Sequence, residues 1–262
     1  MARFCPLFSG SSGNCLYIGT PDSGILIDGG VSARRIEKAL QERNVDPRRI
    51  QGIFVTHEHT DHTAGLRVFQ KRFGTPVYAS MGTRDGLYES GALCAESVCI
   101  PMDDTVALDD FEITPFATPH DCRQSTGFRV TVRDGRMVGI ATDLGEMTDT
   151  VRQHLTGCDL IHIESNHDVR MLENGPYPYI LKRRILSSTG HLSNEACARE
   201  LPRLIQTGTT RVFLGHLSRE NNSPWLAQAA SQSALQMAGL QENVDYQLRV
   251  APPENDQPPL IL

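Results

Sequence analysis

His57-Glu58-His59-Thr60-Asp61-His62 places four metal-binding side chains in six residues, directly after the short apolar run 53–56. Neutral imidazole and carboxylate are good ligands for zinc, manganese and iron. In an extended segment residues i and i+2 face the same way, so His57 and His59 can grip one ion. If a helix begins near Asp61, its first turn directs Asp61 and His62 away from that pair, towards a second ion. One ion needs more than two ligands, and the chain offers others. His120, after Thr118-Pro119, can complete the first set; His216, after the apolar run 212–214, can complete the second; and the Asp143 carboxylate can bridge both. A solitary His or Asp at a strand end reads as an ordinary satisfied polar residue. Order and shared placement give these their weight.

The pattern around the motif alternates strands and helices. Residues 15–19 and 25–28 read as strands joined by the turn Pro21-Asp22-Ser23-Gly24. Residues 33–43 read as an amphipathic helix with Ser32 as N-cap. A helix is expected over 63–73, stopped by Gly74. Strands follow at 77–79, 111–117, 128–132 and 137–141, the last two flanking the hairpin turn Asp134-Gly135. Residues 160–163 form another apolar strand, ending at Glu164. Helices are expected over 179–186, over 193–206 with a break or offset at Pro202, and from Ser223-Pro224 to Gly239. Asp28, His57, His120, Asp143, Glu164 and His216 all fall at the ends of strands, where open α/β architectures place their sites. The expected organisation is one α/β domain over 1–250 and a loose proline-rich tail over 251–262.

Composition narrows the class. The chain has 262 residues, 39% hydrophobic and 21% charged, ordinary for a soluble globular protein. A formal charge of -6 provides no global field for nucleic acid. Any such contact needs a local basic patch, and Lys182-Arg183-Arg184 is the one candidate, its alternative being a solvated helix face. The seven cysteines are scattered, with no C-x-x-C pair, which disfavours both a thiolate zinc site and a disulfide framework. Ser and Gly follow Pro6 where a signal peptide would be apolar, and no run reaches the roughly 20 apolar residues of a membrane span. The expectation is a cytoplasmic protein without a membrane partner.

The ordered set His57-x-His59-x-Asp61-His62, His120, Asp143, His216 resembles that of the metallo-β-lactamase superfamily. The resemblance implies a four-layer αβ/βα sandwich of the α/β class with the metals at one edge, and an early strand-end aspartate, Asp28, that orders the site without ligating metal. More narrowly, Ser9-Gly10-Ser11-Ser12-Gly13-Asn14, Thr142-Asp143, Glu164-Ser165-Asn166-His167-Asp168, Gly190-His191-Leu192-Ser193-Asn194 and Leu214-Gly215-His216-Leu217-Ser218 resemble the YycJ/WalJ-type proteins, relatives of tRNase Z and of PhnP-type phosphodiesterases. That resemblance implies a metal-dependent phosphodiesterase with DNA as substrate, a 5′ to 3′ exonuclease linked to repair.

It also puts His191 beside the scissile phosphate, as proton donor or stabiliser of developing charge; its plain alternative is a partner of the helix N-terminus near Ser193. Glu164 is expected to hold His191 in its working tautomer. Asp61 is expected to bear on catalysis as well as on metal binding. His167 either binds phosphate or orders the loop after Glu164. The segment 9–14, with Ser11, suits close approach to a phosphate or is simply a tight turn; it is not a Walker A loop. The expected cofactors are two divalent ions, zinc first, with manganese or iron as alternatives. Rival readings are a phosphodiesterase on a small cyclic nucleotide or metabolite, a thioester or lactam hydrolase on the same site, and a metal-binding regulatory module without catalysis.

Overall fold

The computed structural model describes residues 1–262. Its first sheet is entered by β1 (Arg3–Phe8), β2 (Cys15–Gly19), β3 (Gly24–Ile27), β4 (Ile50–Phe54), β5 (Val77–Ala79) and β6 (Cys99–Pro101). The second holds β7 (Val106–Ala107), β8 (Phe111–Ala117), β9 (Thr126–Val132), β10 (Met137–Ala141), β11 (Leu160–Glu164), β12 (Arg211–Gly215) and β13 (Gln247–Val250); β14 (Leu260–Ile261) returns to the first sheet. The sheet orders are β14-β1-β2-β3-β4-β5-β6 and β13-β12-β11-β10-β9-β8-β7.

Strand periodicity builds the layers, because successive side chains of a strand leave opposite faces. Leu16 and Ile18 of β2, Ile25 and Ile27 of β3, Val138 and Ile140 of β10 and Phe213 of β12 meet in the core between the sheets. The alternate residues Cys15, Tyr17 and Leu26 pack under α1 (Ala33–Gln41), α3 (Leu66–Phe73) and α4 (Met81–Glu89). On the far side, Ile161, Ile163, Val212 and Leu214 pack under α5 (Asp149–Leu155), α8 (Asn194–Gln206) and α9 (Pro224–Met237). The result is the αβ/βα sandwich expected from the sequence. No helix is long and apolar enough to cross a membrane.

Four expectations are corrected. The end of the chain is not a loose tail: β14 pairs antiparallel with β1, Leu262 is buried, and its N–H donates to the Ala2 carbonyl at 2.9 Å. Pro252, Pro253, Pro258 and Pro259 all precede β14, and the edge of β1 supplies its partner. Pro202 does not break α8, which runs unbroken over 13 residues with Leu201, Leu204 and Ile205 in the core. Proline removes one helical hydrogen bond, and here apolar packing outweighs that loss. The helix expected over 63–73 is two pieces, α2 (Thr60–Thr63) and α3, separated at Gly65, whose missing Cβ admits the Val31 carbonyl. Ser32 stands at the N-cap of α1 but its side chain makes no capping bond. Ser193 and Ser223, where helices were expected to open, cap α8 and α9, accepting from Ala196 and Leu226 N–H.

Candidate metal centre

β3 and β4 run parallel, as do β10, β11 and β12, and β8 is antiparallel to β9, which is antiparallel to β10. The C-terminal ends of β3, β4, β8, β10, β11 and β12 therefore open on one edge of the sandwich. Asp28, Asp143 and His216 turn there with left-handed φ of 61°, 55° and 53°. Such a backbone costs of order 1–3 kcal/mol at a non-glycine residue, and the packing around it must hold it. Gly30 allows a close approach of another kind: a Cβ there would overlap the Asp61 carbonyl, which accepts from Asn14 N–H at 2.8 Å.

Two nitrogen and oxygen clusters result. His57 Nε2 and His59 Nδ1 lie 3.0 Å apart, with His120 in the same group. Asp61 Oδ2 lies 3.5 Å from His62 Nε2 and 3.6 Å from His216 Nε2. Asp143 stands between them, its Oδ1 3.9 Å from His120 Nε2 and its Oδ2 3.3 Å from His62 Nε2. The far ring nitrogens are tied outward. His62 Nδ1 meets Asp28 Oδ2 at 2.7 Å, His57 Nδ1 meets Thr56 Oγ1 at 3.0 Å, and His120 Nδ1 meets the Gly190 carbonyl at 3.1 Å. Thr56 N–H also donates to Asp28 at 2.8 Å, so one buried aspartate organises the first motif without facing the cluster. Asn14 Nδ2 comes within 3.0 Å of His62 Nε2.

Glu164 is fully buried at the end of β11 and organises the other side. Its Oε1 lies 2.8 Å from both His191 Nδ1 and His216 Nδ1. Its Oε2 accepts from Leu144 N–H at 3.0 Å and Leu192 N–H at 3.1 Å. His191 thus stands beside the cluster, 3.8 Å from Asp143. His167 is brought close in the chain but its ring is buried and does not line the cavity. Its backbone does the ordering, pairing with Ser193 and accepting from Asn194 N–H at 2.9 Å.

The electrostatics follow from burial against paired carboxylates. Burial lowers the His216 pKa, but Asp143, Asp61 and Glu164 outweigh it and bring it up to about 10. Burial likewise opposes the charged form of His62, and Asp143 and Asp28 raise its pKa well above the ordinary value. Burial would raise the carboxyls of Asp61 and Glu164, but the neighbouring histidines hold both well below the usual range. His57 goes the other way: burial, then the charge of His62, pushes it well down, leaving a neutral imidazole.

The residues fit a divalent metal. His120 Nε2, Asp143 Oδ2 and His216 Nε2 are buried with no hydrogen-bond partner, an expensive arrangement unless something else takes their lone pairs. All donors are nitrogen or oxygen, and each anchored histidine keeps one nitrogen for the cluster. A cavity of about 250 Å³ reaches the cluster, lined among others by His59, Asp61, Asp143, His191 and His216. Ser11, Asn166, Ser218, Tyr177, Leu181 and Arg184 also line it.

The profile of the β-lactamase superfamily domain matches residues 24–217. The chain belongs to that superfamily. It is 34% identical over 260 residues to the exodeoxyribonuclease WalJ of Streptococcus pneumoniae serotype 2, covering 98% of this chain and 96% of that protein. It is 34% identical over 239 residues to the exodeoxyribonuclease YycJ of Bacillus anthracis, covering 90% of each. Within the superfamily the chain therefore belongs with the YycJ/WalJ-type proteins. The crystal structure of the metallo-β-lactamase fold protein YhfI from Bacillus subtilis superposes with a TM-score of 0.70 at 16% identity, over 97% of this chain and 98% of that one, a likeness of fold.

Sequence reading missed several contributors. It gives Thr56 and Asn222 no part, and Gly190, Asn166 and Asn194 stand only within motifs, without a role of their own. Yet Asn222 Nδ2 donates to the Ser165 and Asn166 carbonyls at 2.9 Å, and Asn166 Nδ2 donates to the His216 carbonyl at 2.8 Å. These bonds fix the loop that carries His216 to the loop that follows Glu164.

Proposed function

We propose that the chain is a divalent-metal-dependent exodeoxyribonuclease whose two ions are held by His57, His59 and His120 on one side and by Asp61, His62 and His216 on the other, with Asp143 shared. The end-to-end likeness to exodeoxyribonucleases carries the reading, and the partnerless buried donors around Asp143 support it. Zinc is the first choice for a histidine-rich set, with manganese or iron as alternatives. When bound, such ions supply Lewis acidity towards a phosphate ester and make water nucleophilic near neutral pH.

The chain's own residues do the rest. Asp28 and Thr56 hold the first histidines in one tautomer, with a ring nitrogen free for the cluster. Glu164 accepts the Nδ1 protons of His191 and His216, so His191 presents Nε2 to the cavity. Burial opposes the charged form of His191, but Glu164 and Asp143 raise its pKa above the ordinary value. That shift favours the charged form, in which His191 has a proton to give to the departing ester oxygen. Ser11 and Ser218 line the same cavity and offer hydroxyls to a phosphate. The expectations of 5′ to 3′ polarity, a link to repair and a cytoplasmic location belong to this proposal.

The test is hydrolysis by the metal-loaded protein of single- and double-stranded DNA, RNA, bis(p-nitrophenyl) phosphate and a thioester, with His59→Ala as control. Progressive release of mononucleotides from DNA, lost in the variant, supports the reading. Cleavage of the small diester alone favours a small-molecule phosphodiesterase. Thioester cleavage without phosphodiester cleavage overturns the reaction class.

A further inference from the structure

The basic run that the sequence marks, Lys182-Arg183-Arg184, ends α7 (Tyr179–Ile185), which follows α6 (Val169–Asn174). Two of its charges are engaged: Arg184 pairs with Asp121, and Lys182 donates to the Glu173 and Gly175 carbonyls. A less conspicuous pair, Arg3 and Arg49, meets at the far edge of the first sheet. Parallel β3 and β4 carry Asp28 and His57 beyond their C-terminal ends, and their first residues, Gly24 and Ile50, lie at the other end. There Arg3 of β1 is in register with Gly19 of β2, and Gly19 with Gly24 of β3. Neither glycine has a positive φ, so the backbone does not require it. Glycine inside a strand weakens it and marks a close approach. The approaching group is the ring of Tyr17, two residues before Gly19 on the same face. A Cβ on Gly19 would come within 1.9 Å of the Tyr17 hydroxyl oxygen, and one on Gly24 within 2.5 Å of the ring. The ring therefore lies along the sheet and delivers its hydroxyl to this edge.

A pocket of about 320 Å³ opens there, lined among others by Arg3, Tyr17, Asn44 and Arg49. Tyr17 is only 2% exposed, yet its hydroxyl makes no hydrogen bond within the chain, whereas a buried tyrosine ordinarily finds a partner. Arg3 is close enough to act on it: burial raises the Tyr17 hydroxyl to about 12, and the Arg3 charge opposes that rise. The carboxylates nearby serve other groups. Asp22 and Asp110 pair with Arg133 at 3.4 and 2.9 Å, and Asp110 also accepts from the Thr20 hydroxyl at 2.7 Å. Asp46, on the pocket's lining, lies 3.8 Å from the Arg48 guanidinium and accepts from Arg48 N–H at 3.0 Å. Arg49 reaches only the Pro21 and Asp22 carbonyls, at 3.5 and 3.4 Å. Two guanidinium groups and a buried hydroxyl, all donors, thus share one pocket, and neither guanidinium is paired with a carboxylate.

We propose that this pocket is a second, non-catalytic site for a phosphate dianion, free or as the monoester end of a small metabolite, held by Arg3, Arg49 and the Tyr17 hydroxyl. It lies at the edge of the sheet away from the metal centre and does not rest on the nuclease reading. The donor set selects the ligand. A carboxylate has two oxygens and is satisfied by one guanidinium fork, whereas a phosphate monoester presents three terminal oxygens, enough for two guanidinium groups and a phenol. A neutral phenol remains a donor through the physiological range, and hydrogen bonds to a charged partner are the stronger kind. The volume falls at the lower end of small-ligand pockets, the scale of a single small molecule. The two in-register glycines, the flattened ring and the unpaired charges are explained together.

The experiment titrates the metal-loaded, full-length protein with inorganic phosphate, deoxythymidine 5′-monophosphate and deoxythymidine. Hydrogen–deuterium exchange of residues 17–24 and 44–50 is the readout, because phosphate also meets the metal centre and exchange separates the two places. Wild type should show slowed exchange in both segments with either phosphate, half-saturating on the order of 1 mM or tighter, and none with deoxythymidine. Tyr17→Phe keeps the ring over the glycines and removes only the hydroxyl. It should weaken binding about tenfold or more, the worth of a hydrogen bond to a charged group. Arg3→Ala with Arg49→Ala should abolish the slowing in both segments, with a melting temperature near wild type showing that the protein is folded. Tighter binding of the nucleotide than of inorganic phosphate identifies a monoester as the ligand; equal binding identifies the free anion. Absence of slowing in wild type at ligand concentrations well above half-saturation, or equal slowing in the double variant, refutes the site. Unchanged affinity in Tyr17→Phe overturns the hydroxyl contact, and slowing by deoxythymidine overturns the choice of phosphate.

Discussion

Replacing Glu164 with Gln tests the arrangement where it is most constrained. The carboxylate is fully buried and accepts four bonds, two from backbone N–H groups and two from histidine Nδ1 atoms. The amide keeps the volume but offers one oxygen, which can serve only one of those pairs. If the oxygen stays with Leu144 and Leu192, the amide NH₂ faces His191 and His216, which must then surrender their Nδ1 protons. Each neutral ring would carry its proton on Nε2 instead, and His216 could no longer offer that atom to a metal. Breaking a buried charged pair by removing one partner costs about 3–5 kcal/mol. At the low end, about 3 kcal/mol lowers the melting temperature of a chain this size by about 6–12 °C. Loss of such a histidine-orienting partner weakens metal binding by about 10–100-fold, and here the weakening should fall on the group containing His216. Calorimetry of the metal-free variant reads the first effect, and chelator-competition titration resolving two ions reads the second. A Glu164→Gln protein that melts within about 1 °C of wild type and binds both ions with unchanged affinity would refute the reasoning.

The other expectations follow from the same geometry. His59→Ala and Asp61→Ala each remove one donor from a different cluster; both should abolish DNA turnover, and metal analysis should show one ion lost in each while the fold melts cooperatively. Metal affinity should rise between pH 6 and pH 8, by up to tenfold per pH unit for each proton displaced, because His216 is brought up to about 10 in the metal-free site. The same shift fixes the stability profile: a raised histidine contributes fully below its unfolded value of about 6.5, and that contribution to the metal-free fold is lost as pH climbs through about 10, measurable by urea unfolding across that range. Ending the chain before Leu260 removes the pairing of β14 with Arg3 and Phe4 and the burial of Leu262. Burying one leucine contributes about 1.5–3 kcal/mol, so the truncated protein should lose about 2–4 kcal/mol in urea titration, and unchanged stability would restore the loose tail.

Much of this site was legible in the chain because its logic is local. The spacing His57-x-His59-x-Asp61-His62 sorts its own donors: the extended pair falls into the cluster with His120, and the first turn of α2 carries Asp61 and His62 into the cluster with His216. Strand ends were marked by apolar runs that stop at a His, Asp or Glu, and Gly74, Ser193 and Ser223 announced their helix ends by local backbone and capping chemistry. The alternation of apolar residues that separates three cores is likewise written into each strand.

What the tertiary structure alone decided involves partners far apart in sequence. Glu164 serves His191 and His216 from 27 and 52 residues away, and nothing in the segment 160–167 says that one carboxylate serves both. Pro6 hides β1 from a propensity reading, yet β2 and β14 hold it as a strand with an irregular register at that proline. The C-terminal prolines hide β14 in the same way, and Pro202 hides the continuity of α8. In each case a local penalty of a few kcal/mol is outweighed by burial and hydrogen bonds made to distant segments. Periodicity and motif spacing report only the energy a segment carries within itself. They marked the histidines and carboxylates that meet at one edge of the sandwich; the packing of the two sheets determined which way each of those residues points.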